Sequence, residues 1–306
     1  MGDQKPVIDR ALVDSLTTRV VDRRRELEII LAGLASGRHV LLEGPPGTGK
    51  STLLRAIADV SGTDFVFVEG NAELTPGRLV GHFDPSLVLD EGYAASAFVD
   101  GPLITALRTG GLLYVEELNR VPEETLNVVI TVMSEGELHV PRLGRVEAAD
   151  GFRLVAAMNP FDAVGTARIS SAVYDRMCRV TMNYQSAAAE GAIVQKAAPD
   201  ADPTFVAKVV DVVRASREHP DVRVGSSVRG AIDLVLLARE LAALRGGHPS
   251  NAVNGLDAAM AALSGRLRVH EGGGRVPDDI VAELWWSVFA REHPVDTGDG
   301  ESDPKA

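Results

Sequence analysis

Gly44-Pro-Pro-Gly-Thr-Gly49-Lys50-Ser51 fits the pattern G-x-x-x-x-G-K-[ST] at every fixed position. Each residue type has a chemical reason. Glycines let successive backbone N–H groups converge on phosphate oxygens, and the start of the following helix adds partial positive charge. Lys50 is expected to reach the β- and γ-phosphates, and the Ser51 hydroxyl to ligate Mg²⁺. The loop predicts a nucleoside triphosphate site formed by Gly44, Pro45, Pro46, Gly47, Thr48, Gly49, Lys50, Ser51 and Thr52, with ATP and Mg²⁺ as the expected cofactors.

A second acidic motif follows. Leu112-Leu113-Tyr114-Val115-Glu116-Glu117 reads as an apolar strand ending in two carboxylates. At the carboxyl edge of a parallel sheet this position faces a nucleotide. Glu116 would serve the metal together with Ser51, and Glu117 would orient and activate the attacking water. The usual pair is Asp-Glu. A glutamate reaches one methylene further, so the metal geometry is expected to differ. Asn159, after the apolar run Phe152–Met158, could orient the water, although Asn-Pro is also an ordinary turn starter.

These residues need elements to position them. Leu27, Ile30, Leu31 and Leu34 recur at helical spacing between Arg23 and Ala35. Short apolar runs at His39–Glu43, Phe65–Glu69, Leu112–Glu116, Phe152–Met158 and Cys178–Met182 predict strands. A helix is expected from about Lys50 to Val60, and another from Pro122 to Met133 with Pro122 as its first residue. Strands this apolar, alternating with helices, suit a parallel sheet buried on both faces. Beyond Gln185 only helical patterns follow, near Ala187–Ala198, Thr204–Arg217, Ser227–Arg245, Ala252–Arg266 and Pro277–Phe289. The reading is an α/β core over residues 1–185 with helices on both faces, and a small all-α lid over 186–291. A disordered tail is expected over 292–306, rich in Asp, Gly and Pro.

Composition narrows the class. With 306 residues and 45% apolar residues the chain can build a large core. The net charge of −12 argues against a nucleic-acid partner. The single cysteine, Cys178, lies in an apolar run and is expected to be a buried structural thiol in a reducing compartment. The N-terminus does not read as a signal peptide and no run reaches membrane-spanning length, so the expected location is cytoplasmic. The histidines show no metal-ligand spacing, and Trp285 and Trp286 are expected to pack the lid.

Taken together, LLEGPPGTGKS, VEELNRVPEETLNVVITVMSEGEL and AAMNP resemble the AAA+ ATPases, and within them the MoxR-like branch. The stretch between Gly70 and Gly111 looks like that branch's helix-2 insert, and Glu137–Arg153 like its hairpin before sensor 1. Glu116 and AAMNP depart from the more usual Asp and Thr-Gln-Asn-Pro. The resemblance implies an arginine finger at Arg176 in Tyr174-Asp175-Arg176, with Arg168 and Arg179 as rivals, and a sensor-2 arginine at Arg229. Arg229 could equally cap its helix through a salt bridge. Arg142 and Arg145 would contact a substrate in a ring pore or be a solvated hairpin tip. The family further implies a homo-oligomeric, hexameric ring that remodels a client or matures a metalloenzyme, with a von Willebrand A domain protein as adaptor. Three other readings stay open: a nucleotide-gated binding module with little hydrolysis, a motor on nucleic acid, and an AAA+ subunit of metal-chelatase, rubisco-activating or gas-vesicle type.

Overall fold

The computed structural model describes residues 9–160, 169–272 and 274–289. Arg168 and the expected disordered tail lie outside them. The chain divides into two compact units, Met1–Tyr184 and Gln185–Ala306.

In chain order the first unit contains α1 (Arg10–Arg19), α2 (Arg24–Ala35), β1 (His39–Glu43), α3 (Lys50–Ser61) and β2 (Phe65–Glu69). An insert follows: α4 (Pro76–Val80), β3 (Gly81–Phe83), α5 (Pro85–Glu91), β4 (Phe98–Asp100) and α6 (Pro102–Thr109). Next come β5 (Leu112–Glu116), α7 (Glu123–Glu135), β6 (Glu137–Val140), β7 (Gly144–Glu147), β8 (Arg153–Met158), α8 (Ser171–Arg176) and β9 (Met177–Thr181). Five strands form one parallel sheet in the order β2-β5-β8-β1-β9.

Strand side chains alternate between faces, and this assigns the helices. Leu41, Leu113, Val115, Leu154 and Ala156 join a core with Leu103 and Leu107 of α6 and Leu126 and Val129 of α7. Their neighbours Val40, Leu42, Leu112, Tyr114, Val155 and Ala157 join a second core with Leu16 of α1, Leu27 and Ile30 of α2 and Leu53 and Ile57 of α3. Each buried Leu, Ile or Val among them contributes about 1.5–3 kcal/mol, so continuous apolar runs are what this sandwich requires.

The expected strands all form, one of them starting a residue later, Arg153–Met158, and one shifted back by a residue, Met177–Thr181. Pro122 is not the first helical residue. With ψ 146° it precedes α7, and its carbonyl accepts from Thr125 and Leu126 N–H at 3.0 Å each. Cys178 is exposed rather than buried, because β9 is an edge strand whose side chains at 178 and 179 lie open. The other edge strand, β2, likewise buries only Val68 fully. The hairpin β6–β7 pairs antiparallel, with Arg145 bound to Glu137 and Glu147. At its tip Arg142, in the left-handed region with φ 67°, lays its guanidinium 3.6 Å from the ring centroid of Tyr93 in the insert. Both arginines are therefore engaged within the chain.

The second unit contains α9 (Ala187–Ala197), α10 (Pro203–Glu218), β10 (Val222–Val224), α11 (Val228–Arg245), α12 (Ala252–Leu263), β11 (Arg268–Val269) and α13 (Pro277–Phe289). Its core joins Val209 and Val213 of α10, Leu234 and Ala238 of α11, Ala259 of α12 and Trp285 of α13. It is not purely helical: β10 and β11 pair antiparallel. Those segments are too short to give a periodic signal. Of the two tryptophans only Trp285 packs inside, stacked 3.8 Å from Phe289, whereas Trp286 is exposed. Side chains of Ser186, Asp202 and Asn251 cap the N-termini of α9, α10 and α12, which explains why these helices start where they do.

Candidate nucleotide site

The sheet order brings the candidate residues together. β8 lies between β5 and β1, so the loop after β1, the carboxylates after β5 and Asn159 after β8 all emerge at adjacent carboxyl ends. Residues 112, 114 and 116 share the face that packs on α3, which directs Glu116 toward Ser51 in the first turn of that helix. The Ser51 hydroxyl donates to Glu116 Oε1 at 2.7 Å, and the Tyr114 hydroxyl lies 3.3 Å from Ser51 Oγ. Burial of Tyr114 pushes its phenol pKa up, so it is a neutral hydroxyl here.

The loop is a built cradle. Gly47 and Gly49 hold φ of 77° and 85°, the left-handed region that side chains disfavour. A Cβ on Gly44 would stand 2.0 Å from the Met182 carbonyl oxygen. Gly49 occupies the N-cap of α3 and no side chain caps that helix, so its first-turn N–H groups suit an anion. Lys50 is buried and donates to the carbonyls of Gly44 at 2.8 Å and Pro45 at 3.0 Å. Thr48 is buried, with its hydroxyl on Pro45 O at 3.0 Å. Pro45 is half-buried, and Pro46 and Thr52 are exposed. The donor set fits a triphosphate with a hard divalent cation: uncapped amides and an ammonium for the phosphates, a hydroxyl and a carboxylate for the metal.

Glu117 sits in the left-handed region with φ 54° and ψ 45°. Its Oε2 lies 3.4 Å from Arg120 Nε. Gly70 locks this turn: its N–H donates to Glu116 O at 2.7 Å, and a Cβ there would lie 2.4 Å from Glu117 O. Asn159 is half-buried, and its carbonyl accepts from Asn119 Nδ2 at 3.3 Å.

The arginines divide. Arg176 ends α8, with its guanidinium on the Ser134 hydroxyl of α7 and on Ala172 O. Arg179 is held by Glu43 Oε2 at 3.1 Å. Arg229 stands exposed in the first turn of α11, in the second unit.

Sequence reasoning missed four residues here. Tyr114 carried a signal, a hydroxyl two positions before Glu116 on the same strand face. Glu43 carried one as well, a charge closing an apolar strand. Asn119, buried after the acidic pair, stood in a motif already noted. Arg23 carried none. It is 4% exposed and donates to Thr48 O at 3.0 Å and Asn183 O at 2.6 Å, bracing the loop across long sequence separations.

Residues 39–177 match the family described as AAA domain (dynein-related subfamily). The chain carries an AAA domain. The match spans β1 to the start of β9, and it agrees with the resemblance to AAA+ ATPases carried by the motifs. The uncharacterized protein YeaC of Bacillus subtilis (strain 168) is 27% identical over 270 residues, covering 79% of this chain and 81% of YeaC. The gas vesicle ATPase GvpN of Haloferax mediterranei is 28% identical over 240 residues. That alignment takes in 73% of this chain and 66% of GvpN, so the chain spans just under two thirds of its length. Among solved structures, the Thermotoga maritima RuvB Holliday junction branch migration motor superposes with a TM-score of 0.52 and 20% identity, covering 85% of this chain and 72% of RuvB. At that identity the likeness concerns the fold. The AAA domain thus has the parallel five-stranded P-loop architecture expected of it.

Proposed function

We propose that this AAA domain protein is a Mg²⁺-dependent ATPase of the MoxR-like branch, acting in a hexameric ring to remodel a client protein or metalloenzyme complex. The observation that carries the chemistry is the 2.7 Å hydrogen bond between Ser51 and Glu116, with Glu117 on the next residue. Lys50 and the amides of Gly44–Ser51 hold the phosphates. Ser51 and Glu116 hold the metal. Mg²⁺ supplies charge neutralisation at the phosphoryl oxygens. Glu117 takes the proton of the attacking water, and Asn159 helps orient that water. Arg176, lent to a neighbouring subunit, stabilises charge developing on the γ-phosphate, and Arg229 senses it from the lid.

The test is phosphate release by the purified protein. Glu117→Gln is expected to lower turnover by about 10²-fold or more with ATP still bound. Removing Mg²⁺ with EDTA is expected to abolish turnover. Equal turnover in wild type and Glu117→Gln would sink the assignment.

A second reading has a specific observation behind it. Glu116 replaces the usual Asp, and Glu117 lies within ion-pair distance of Arg120. Both favour a slow, nucleotide-gated binding module. Tight ATP binding with negligible turnover, even with a client present, would select it. The GvpN relative supports a gas-vesicle type of client, with metal-chelatase and rubisco-activating clients as alternatives. A von Willebrand A domain adaptor and a cytoplasmic location belong to the same reading. Capture of clients on the Glu117→Gln form with ATP distinguishes these.

A further inference from the structure

Glu43 is the last residue of β1 and the residue immediately before the phosphate loop. It is 5% exposed. Its position is two residues beyond Leu41, so it lies on the α7 side of the sheet rather than the α3 side. An apolar residue would bury there as well as Leu41 does. Glu43 is buried but the Arg179 side chain paired with it is 59% exposed, so solvent screens the pair and it adds little to stability. What the charge provides is directional connection. Oε1 accepts from the Tyr174 hydroxyl at 2.8 Å, and Oε2 from Arg179 Nη1 at 3.1 Å. The first partner lies two residues before Arg176 and the second three residues after it. β9 pairs with β1 in the register Leu41↔Arg179, which puts Arg179 on the same face as Glu43 and within diagonal reach. Tyr174 is committed as a donor, its phenol pKa pushed up to about 12 by burial and by the Glu43 carboxylate. Arg179 is neutralised within its own chain. Arg176 donates to neutral groups, the Ser134 hydroxyl and the Ala172 carbonyl.

We infer that Glu43, Tyr174 and Arg179 form a strap tying the base of the phosphate loop to the segment that carries Arg176, so that occupancy of one subunit's loop sets how that subunit presents Arg176 to the next. This rests on the reading of Arg176 as the finger. Glu43 is a positioning residue: it acts through Tyr174 and Arg179 and touches no reacting atom.

The experiment uses the full chain with Tyr174→Phe and Arg179→Gln, whose parent side chains are partly exposed and whose replacement leaves the core intact. Glu43→Gln is the third variant, since its amide oxygen can still accept from Tyr174. Circular dichroism checks folding. Affinity for a fluorescent ATP analogue is expected to stay within about twofold of wild type. Wild-type phosphate release is expected to depend cooperatively on ATP. In the variants that cooperativity is expected to be lost and turnover to fall roughly fivefold or more. Tyr174→Phe/Arg179→Gln should be no worse than either single change, as members of one strap require. Wild-type cooperativity and turnover in folded Tyr174→Phe and Arg179→Gln would overturn the inference, as would a non-cooperative wild type. Arg176→Ala, measured in parallel, separates the two levels. If it retains full turnover, the finger reading falls and the strap with it. If it abolishes turnover while the strap variants behave as wild type, only the coupling falls.

Discussion

At the scale of single residues, the chemistry hangs on hydroxyls and carboxylates whose partners are close in space and distant in sequence. Ser51 meets Glu116 and Tyr114 across more than sixty positions. The extra methylene of Glu116 does not remove it from Ser51, the proposed partner ligand, because the strand face already points there. Tyr114→Phe deletes one hydroxyl beside Ser51 and leaves the ring packed against Phe65 and Phe67. It is expected to weaken Mg²⁺ binding by about 1 kcal/mol, read as a raised Mg²⁺ half-saturation in nucleotide binding. His39 gives a pH prediction. Burial, with the charge of Arg153 beside it, lowers its pKa from 6.5 to about 4, and its Nδ1 accepts from Leu154 N–H at 3.0 Å. Between those pH values the unfolded chain binds the proton and the folded chain does not. Stability is therefore full above pH 6.5 and is lost as pH falls toward 4. Urea unfolding at pH 7 and pH 5 should show a loss on the order of 1–2 kcal/mol that His39→Gln reduces.

At the scale of elements, alternation along the strands decides what faces what. Even positions of β5 look toward α3 and the phosphate loop; odd positions look toward α6 and α7. The same alternation puts Glu43 on the opposite face from Ser51, so one loop is gripped from both sides of the sheet. The turn after β5 depends on a neighbour's lack of a side chain. A Cβ at Gly70 would press on the carbonyls of Glu116 and Glu117. Gly70→Ala is expected to destabilise the protein by about 1–3 kcal/mol and to lower turnover more than ATP affinity, because the displaced groups are the carboxylate-bearing residues. Thermal unfolding and steady-state phosphate release check the two parts.

At the scale of the whole molecule, the first unit carries two apolar cores, one on each face of its sheet, and the second unit carries its own. The proposed catalytic set draws Arg229 from the second unit and Arg176 from a neighbouring subunit. Activity is then a property of the assembly. Specific activity is expected to rise with protein concentration in parallel with oligomer formed, measured by sedimentation alongside phosphate release. Mixing Arg176→Ala with Glu117→Gln subunits should restore partial turnover, since some interfaces regain both residues. No recovery at any ratio would argue for a site complete within one chain.

The sequence by itself determined the phosphate loop, the five sheet strands, the helices of the second unit and the acidic pair. These are local properties: glycine spacing, continuous apolar runs, helical periodicity and capping residues act within a few positions of one another. Only the tertiary structure decided the strand order that sets β8 between β5 and β1, and with it which strand ends converge. It also decided that β9 is an edge, which exposes Cys178, and that β10 and β11 pair within the second unit. The bracing of the loop by Arg23 and the Glu43 strap belong to the same class. Pairings of this kind are chosen by packing and hydrogen bonding between segments up to 160 positions apart, and no local pattern encodes which distant partner a side chain will meet.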